Sequence, residues 1–75
     1  MSPLGARFVR RVTRDHVGQR VTLRRRLPDG SLSDVVGTLE GWADDGVLTV
    51  RTRRDDLVSV DDSAVVASRV IPPRD

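Results

Sequence analysis

Arginine is the residue type in this chain with the clearest capacity for chemistry, because its planar guanidinium holds phosphate or carboxylate groups through paired hydrogen bonds. All thirteen basic residues are arginines. The outward positions of two predicted strands form a candidate binding face of Arg20, Arg24, Arg26, Arg51 and Arg53. If those strands adjoin, the face could bind phosphates. The alternative is a solvated surface on which Asp34 or Glu40 of a neighbouring strand pairs with the arginines.

Other polar residues do not form a catalytic pattern. His16 is the only histidine and follows Asp15, and we interpret it as a solvated residue at a turn rather than a base. The aspartate pairs at 44–45 and 55–56 lie in predicted turns, whereas a hard cation needs about six or more converging oxygens. The sequence therefore predicts no catalytic residue, no metal site and no cofactor, and we expect that this chain alone is not an enzyme.

The composition bounds the remaining possibilities. Seventy-five residues correspond to one domain. The absence of cysteine excludes a disulfide framework and a thiolate metal site. No segment approaches the roughly 18 consecutive apolar residues of a membrane helix, so we expect a cytoplasmic protein without a membrane partner. Valine dominates the apolar residues and favours strands, because its β-branched side chain fits a pleated surface.

The charges are segregated along the chain. Residues 1–26 hold eight arginines against one aspartate, residues 27–50 hold five acids and no arginine, and residues 51–75 balance. This dipole indicates intramolecular or protein–protein pairing more than a uniformly basic nucleic-acid binder. Aromatic residues are scarce, although single-strand binders usually stack bases on aromatic rings. Trp42 is one of only two aromatic residues, and we interpret it as a core or rim residue.

Period-two alternation from residue 17 predicts the first strand, in which Arg25 interrupts the apolar side. Further strands are predicted over 35–42, 47–53, 57–60 and 65–71, separated by Asp- and Gly-rich turns and by one helical turn over 61–64. Two glycines on one side of the second strand indicate curvature and a closely packed neighbour. The predicted core consists of Val21, Leu23, Val35, Leu39, Leu48, Val50 and Val65.

Five short strands with one helical or 3₁₀ turn before the last predict an all-β fold, a five-stranded SH3-like barrel. An OB-like barrel is the second choice. The predicted organisation is a polar lead-in over 1–16, the barrel over 17–73, and a tail or the start of a linker over 74–75. In the lead-in, Phe8, Val9 and Val12 could form one short helical face.

Four stretches of the chain, residues 17–27, 33–39, 48–52 and 62–73, resemble a known family. They are similar to the SH3-like N-terminal domain of bacterial GNAT-family N-acetyltransferases. The resemblance covers about residues 17–73 and implies a barrel that precedes a catalytic domain, which transfers an acetyl group from acetyl-CoA to an amine. That catalytic domain would begin after Pro73, so no family catalytic residue can be carried over.

These observations give two main functional hypotheses. The first is a non-catalytic accessory or regulatory module, which contacts an acetyltransferase catalytic domain, in cis or in trans, or another protein. The second is a small nucleic-acid-binding barrel that uses the arginine face, and its binding should depend steeply on salt. Self-association of so small a domain is a third possibility, and the sequence leaves the oligomeric state open.

Overall fold

The computed structural model describes residues 10–73. Over this range the chain forms five strands in one antiparallel sheet of order β4-β3-β2-β1-β5. The strands are β1 (Arg20–Arg26), β2 (Leu32–Trp42), β3 (Val47–Arg51), β4 (Leu57–Asp61) and β5 (Val65–Val70). A 3₁₀ turn, Asp62–Ala64, immediately precedes β5, and another, Arg14–His16, precedes β1. The prediction of an all-β fold with a 3₁₀ turn before the last strand is therefore confirmed.

The core of the domain draws on all five strands, because period-two alternation gives each strand one face that avoids water. All seven residues predicted for the core are buried, and Val21, Leu23, Leu39 and Val50 have no exposed surface. The structure adds Val60 from β4 and Val12 from the segment before β1. The core thus includes a residue of the predicted lead-in.

Val12 is held in place by Ser68 of β5. The backbone N–H groups of Arg11 and Val12 each donate to Ser68 Oγ at 3.1 Å, and Arg10 forms an isolated parallel bridge with the same serine. Val12 lies before the 3₁₀ turn and is not part of a helix. Phe8 and Val9, the other members of the predicted helical face, lie outside the described residues.

Strand β2 approaches β3 closely at Gly37 and has a bulge further along. A Cβ on Gly37 would lie 2.2 Å from the carbonyl oxygen of Arg51, so only glycine permits this approach of β2 to β3. A bulge between Leu39 and Gly41 then shifts the register. Strict alternation would put Trp42 on the same side as Glu40. The bulge instead turns Trp42 inward, where it packs against the core.

The largest differences from the predicted strand boundaries are at the starts of β1 and β2 and at the end of β3, which ends at Arg51 instead of residue 53. Val17 is 44% exposed and precedes Gly18, whose φ of +98° ends the preceding turn, so β1 begins at Arg20. Strand β2 begins at Leu32, three residues before the predicted start, because the β1–β2 turn is tight. Its hydrogen bond from Leu27 N–H to the Ser31 carbonyl measures 2.8 Å. Within residues 10–73 no helix is long and apolar enough to span a membrane.

Candidate functional site

The five arginines of the predicted face do not form one patch. Arg20, Arg24 and Arg26 are exposed on the outer side of β1. Strand β2 lies between β1 and β3, and its Thr38 is opposite Arg20 on one side and Arg51 on the other. Strand β3 ends at Arg51, which leaves Arg53 exposed in the β3–β4 turn. The condition that the two arginine-bearing strands adjoin is therefore not met.

Arg24 is bound by the aspartate directly opposite it on β2. Its Nε donates to Asp34 Oδ1 at 2.9 Å and its Nη2 donates to Oδ2 at 3.2 Å. These two parallel bonds form the fork geometry that suits a guanidinium and a carboxylate. The hydrogen bond from Arg24 lowers the pKa of Asp34 below its usual value, and the pKa of Arg24 is raised.

Arg51 is bound in the same way by Glu40, where the β2 bulge lies. Its Nε donates to Oε2 at 2.9 Å and its Nη2 donates to Oε1 at 3.3 Å. The hydrogen bond from Arg51 lowers the pKa of Glu40. A carboxylate oxygen of Asp55 also lies 3.5 Å from Arg51 Nη1. Two of the five candidate arginines are thus neutralised by the two acids named in the alternative interpretation.

A groove on the outer side of β1 and β5 collects arginines from three separate parts of the chain. It has a volume of about 290 Å³, and its charged lining residues are Arg11, Arg24, Asp34 and Arg69, with Thr22, Ala67 and Ser68 completing the lining. We call it the basic groove. No carboxylate of residues 10–73 lies within ion-pair distance of Arg11 or Arg69. The basic groove therefore offers three cations and one anion.

Arg11 and Arg69 were not among the candidate binding residues predicted from the sequence. Arg69 occupies an outward position of β5 opposite Thr22 of β1, so alternation alone would have identified its direction. Its proximity to Arg24 depends on β5 pairing with β1, which no local pattern reveals. Arg11 reaches the groove because its segment bonds to Ser68, a contact between residues 57 positions apart.

Other polar residues, among them His16 and Asp45, make structural contacts. His16 accepts a hydrogen bond at Nδ1 from the N–H of Thr13 at 2.9 Å and so caps the first 3₁₀ turn. Asp45 accepts from the N–H of Val47 at 3.2 Å, as turn aspartates commonly do. The Arg14 guanidinium lies 5.5 Å from the centroid of the Trp42 ring. Among residues 10–73, no group of three His, Cys, Asp or Glu residues could hold a metal ion.

A five-stranded antiparallel sheet with a 3₁₀ turn before its last strand is compatible with a small Sm-like β-barrel domain. The chain belongs to the family described as the Rv0428c N-terminal Sm-like domain, which it matches over residues 15–69. That description agrees with the N-terminal barrel expected from the sequence, and it names no acetyltransferase. No curated protein matches the chain, and no solved structure does.

Proposed function

We propose that this domain is a non-catalytic interaction module that contacts a protein through the basic groove. The observation that carries the proposal is the bidentate pair of Arg24 and Asp34 at the rim of a groove that Arg11 and Arg69 also line. Fixed charges of both signs discriminate between protein partners and set their register. A surface that follows a phosphate backbone gains its affinity from positive charge, and the Asp34 carboxylate in the lining of the groove opposes that gain.

The partner that we propose is the catalytic domain of an N-acetyltransferase, attached in cis or bound in trans. Two observations support this choice: the resemblance over residues 17–73 to the N-terminal domains of such enzymes, and the N-terminal position in the family's description. In this arrangement the barrel contributes no catalytic residue and no cofactor contact. The proposal takes the cytoplasm as the compartment, because the chain carries no cysteine.

A blot of native lysate with an antibody against residues 10–73 tests the proposed partner. We expect a band several times heavier than 8.3 kDa or, for a partner in trans, a band at 8.3 kDa that co-purifies with a larger protein. The purified species should transfer acetyl groups from acetyl-CoA to an amine, and the 75-residue chain alone should not. A species without acetyl transfer would contradict the acetyltransferase assignment.

A charge reversal tests the basic groove as the contact. Arg69→Glu should weaken the association in trans, or the docking of the separately expressed domains, by about tenfold or more, because it places a like charge against the partner's acids. Arg53→Glu makes the same change on an exposed turn outside the groove and serves as the control. Equal affinities for both variants would show that the partner binds elsewhere.

Nucleic-acid binding is the second candidate function, and one observation favours it. Among residues 10–73, no carboxylate lies within ion-pair distance of Arg20, Arg26 or Arg53. A fluorescent single-stranded oligonucleotide titrated at several salt concentrations provides the test. The logarithm of the association constant should fall linearly with the logarithm of the salt concentration, with a slope of about −0.7 per phosphate contact. Such a slope would favour this function over the first. Absence of binding at low salt would remove it.

A further inference from the structure

Arg25 occupies an inner position of β1, where the strand pattern calls for an apolar residue. The two preceding inner positions, Val21 and Leu23, are completely buried. Arg25 is half-buried and pairs with Val65 of β5, just past an irregularity in the β1–β5 register. A local rule that is broken in an otherwise regular strand is expected mainly where the residue has a function.

A second groove lies beside Arg25, at the end of the barrel where β1 ends and the 3₁₀ turn leads into β5. We call it the Arg25 groove, and its volume is about 490 Å³. Arg25, Arg26 and Asp61 supply its charges, and apolar side chains, among them Leu27, Ala64 and Val66, supply much of the remaining wall. The groove thus offers a surplus of one positive charge on a largely apolar surface.

The Nε–H of Arg25 is buried and meets no acceptor among residues 10–73. Asp61 lines the same groove, but its Oδ1 already accepts from the backbone N–H of Ser63 at 3.0 Å and from Ser63 Oγ at 2.8 Å. A buried donor without an acceptor costs free energy. This cost is relieved if a group from outside the domain supplies the acceptor.

The other strand arginines show what that acceptor should be. Arg24 and Arg51 both use Nε together with Nη2 to bind the two oxygens of one carboxylate. In Arg25 the Nε of the same fork is unfilled. A single carboxylate with apolar neighbours matches both the surplus charge and the apolar walls of the Arg25 groove. A polyanion would meet repulsion from Asp61.

We infer that Arg25 binds the carboxylate of an Asp or Glu side chain on a protein partner, whose apolar neighbours lie in the Arg25 groove. Because Nε is covered in the free domain, binding requires the side chain to rotate about its outer torsions, which is a fast motion. The inference deepens the proposed interaction role and rests on it. It names a contact separate from the basic groove, which lies on the outer side of the sheet.

The test is an NMR titration of the full ¹⁵N-labelled chain, read at the Arg25 Nε–H resonance, which the Arg25→Lys variant assigns by its loss. The probe is a blocked tripeptide of alanine, glutamate and leucine, and the control peptide has glutamine in place of glutamate. We expect the resonance to move downfield and saturate with the glutamate peptide and to stay in place with the glutamine peptide. Equal shifts with both peptides, or no shift with either, would overturn the inference.

Matched variants test the fork itself. Lysine keeps the charge but lacks the Nε–H, so Arg25→Lys should weaken binding of the glutamate peptide by about tenfold. Arg20→Lys, on the outer side of β1, should leave binding unchanged. Wild-type affinity in Arg25→Lys would refute the role of Arg25. Tighter binding of a phosphoserine tripeptide would refute the choice of a carboxylate. The titration needs no native partner, so its failure is distinguishable from failure of the proposed function.

Discussion

Arg24 and Arg25 are adjacent in the sequence and lie on opposite sides of β1. Arg24 is on the outer side, in water, and Asp34 on the neighbouring strand fills its hydrogen-bonding fork. Arg25 is on the inner side, half-buried, with its Nε–H unpaired within residues 10–73. The contrast shows that identical side chains one position apart take different roles. The pleat of the strand directs one side chain toward water and the next toward the interior.

The two sides of β1 also differ in what stabilises them. The inner side is stabilised by removal of apolar surface from water, which is worth roughly 1.5–3 kcal/mol for a buried Val or Leu. The outer side is stabilised by exposed ion pairs, which contribute little because water screens them. Substitutions of the apolar inner residues should therefore have larger effects on the free energy of unfolding than substitutions on the outer side.

Leu23→Ala should have the largest effect on stability. Leu23 has no exposed surface, and loss of its side chain should lower the free energy of unfolding by about 2–5 kcal/mol, through lost burial and the cavity left behind. Denaturant unfolding measures this change. Arg24→Ala is the control on the outer side and should melt close to the wild type. Small and equal effects of the two substitutions would contradict the assignment of the two sides.

Gly37→Ala should have the next largest effect. A Cβ at this position would lie 2.2 Å from the Arg51 carbonyl oxygen. The backbones of β2 and β3 would have to move apart to relieve this contact, which would disturb the core. We expect a loss of about 1–3 kcal/mol, as for other overpacked interiors. Gly41→Ala is the matched control, since its Cβ would meet only the Thr49 hydroxyl, at 3.0 Å. A thermal melt of Gly37→Ala equal to that of Gly41→Ala would show that the strands do not approach so closely.

Arg25→Met tests whether the inner-side arginine lacks an acceptor in the free domain. Methionine keeps the length of the side chain and removes the unpaired Nε–H, so the free energy of unfolding should rise by about 1 kcal/mol. The same substitution should abolish binding of the glutamate tripeptide. Arg24→Met instead removes the hydrogen-bonding partner of the Asp34 carboxylate, so this substitution should not stabilise the domain. A destabilised Arg25→Met variant would indicate that Arg25 has an acceptor within the free domain.

Low pH should weaken the ion pairs on the outer side of the sheet. Its effect on stability should be smaller than the effects of the three substitutions above. The pKa values of Asp34 and Glu40 are lowered by their arginines, so these carboxylates bind protons less readily in the folded than in the unfolded chain. Their stabilising contribution is therefore complete above the unfolded pKa of about 4 and is lost as the pH falls through the lower folded values. Melting temperatures from pH 7 downward should fall less steeply in the variant with Asp34→Asn and Glu40→Gln. An unchanged slope would mean that the pairs do not persist in solution.

Much of the fold was accessible from the sequence because it depends on local patterns. Alternation identified the core residues of β1 and β3, and the Asp- and Gly-containing turns separated the strands. The bulge in β2 was not accessible, because an extra residue in one strand is defined only by the partner opposite it. The direction of Trp42 was therefore open until the pairing with β3 was known.

The features of the candidate site likewise divide into those set by local sequence pattern and those set by tertiary contacts. The sequence by itself determined that Arg20, Arg24 and Arg26 face water and that Arg25 interrupts an apolar series, since both follow from a period of two residues. Only the tertiary structure decided that Asp34 and Glu40 neutralise two of the arginines, that Arg11 and Arg69 join Arg24 in one groove, and that the Arg25 Nε–H lacks an acceptor. The physical reason is distance: a guanidinium interacts over a few ångströms, and folding alone determines which residues from remote parts of the chain come that close.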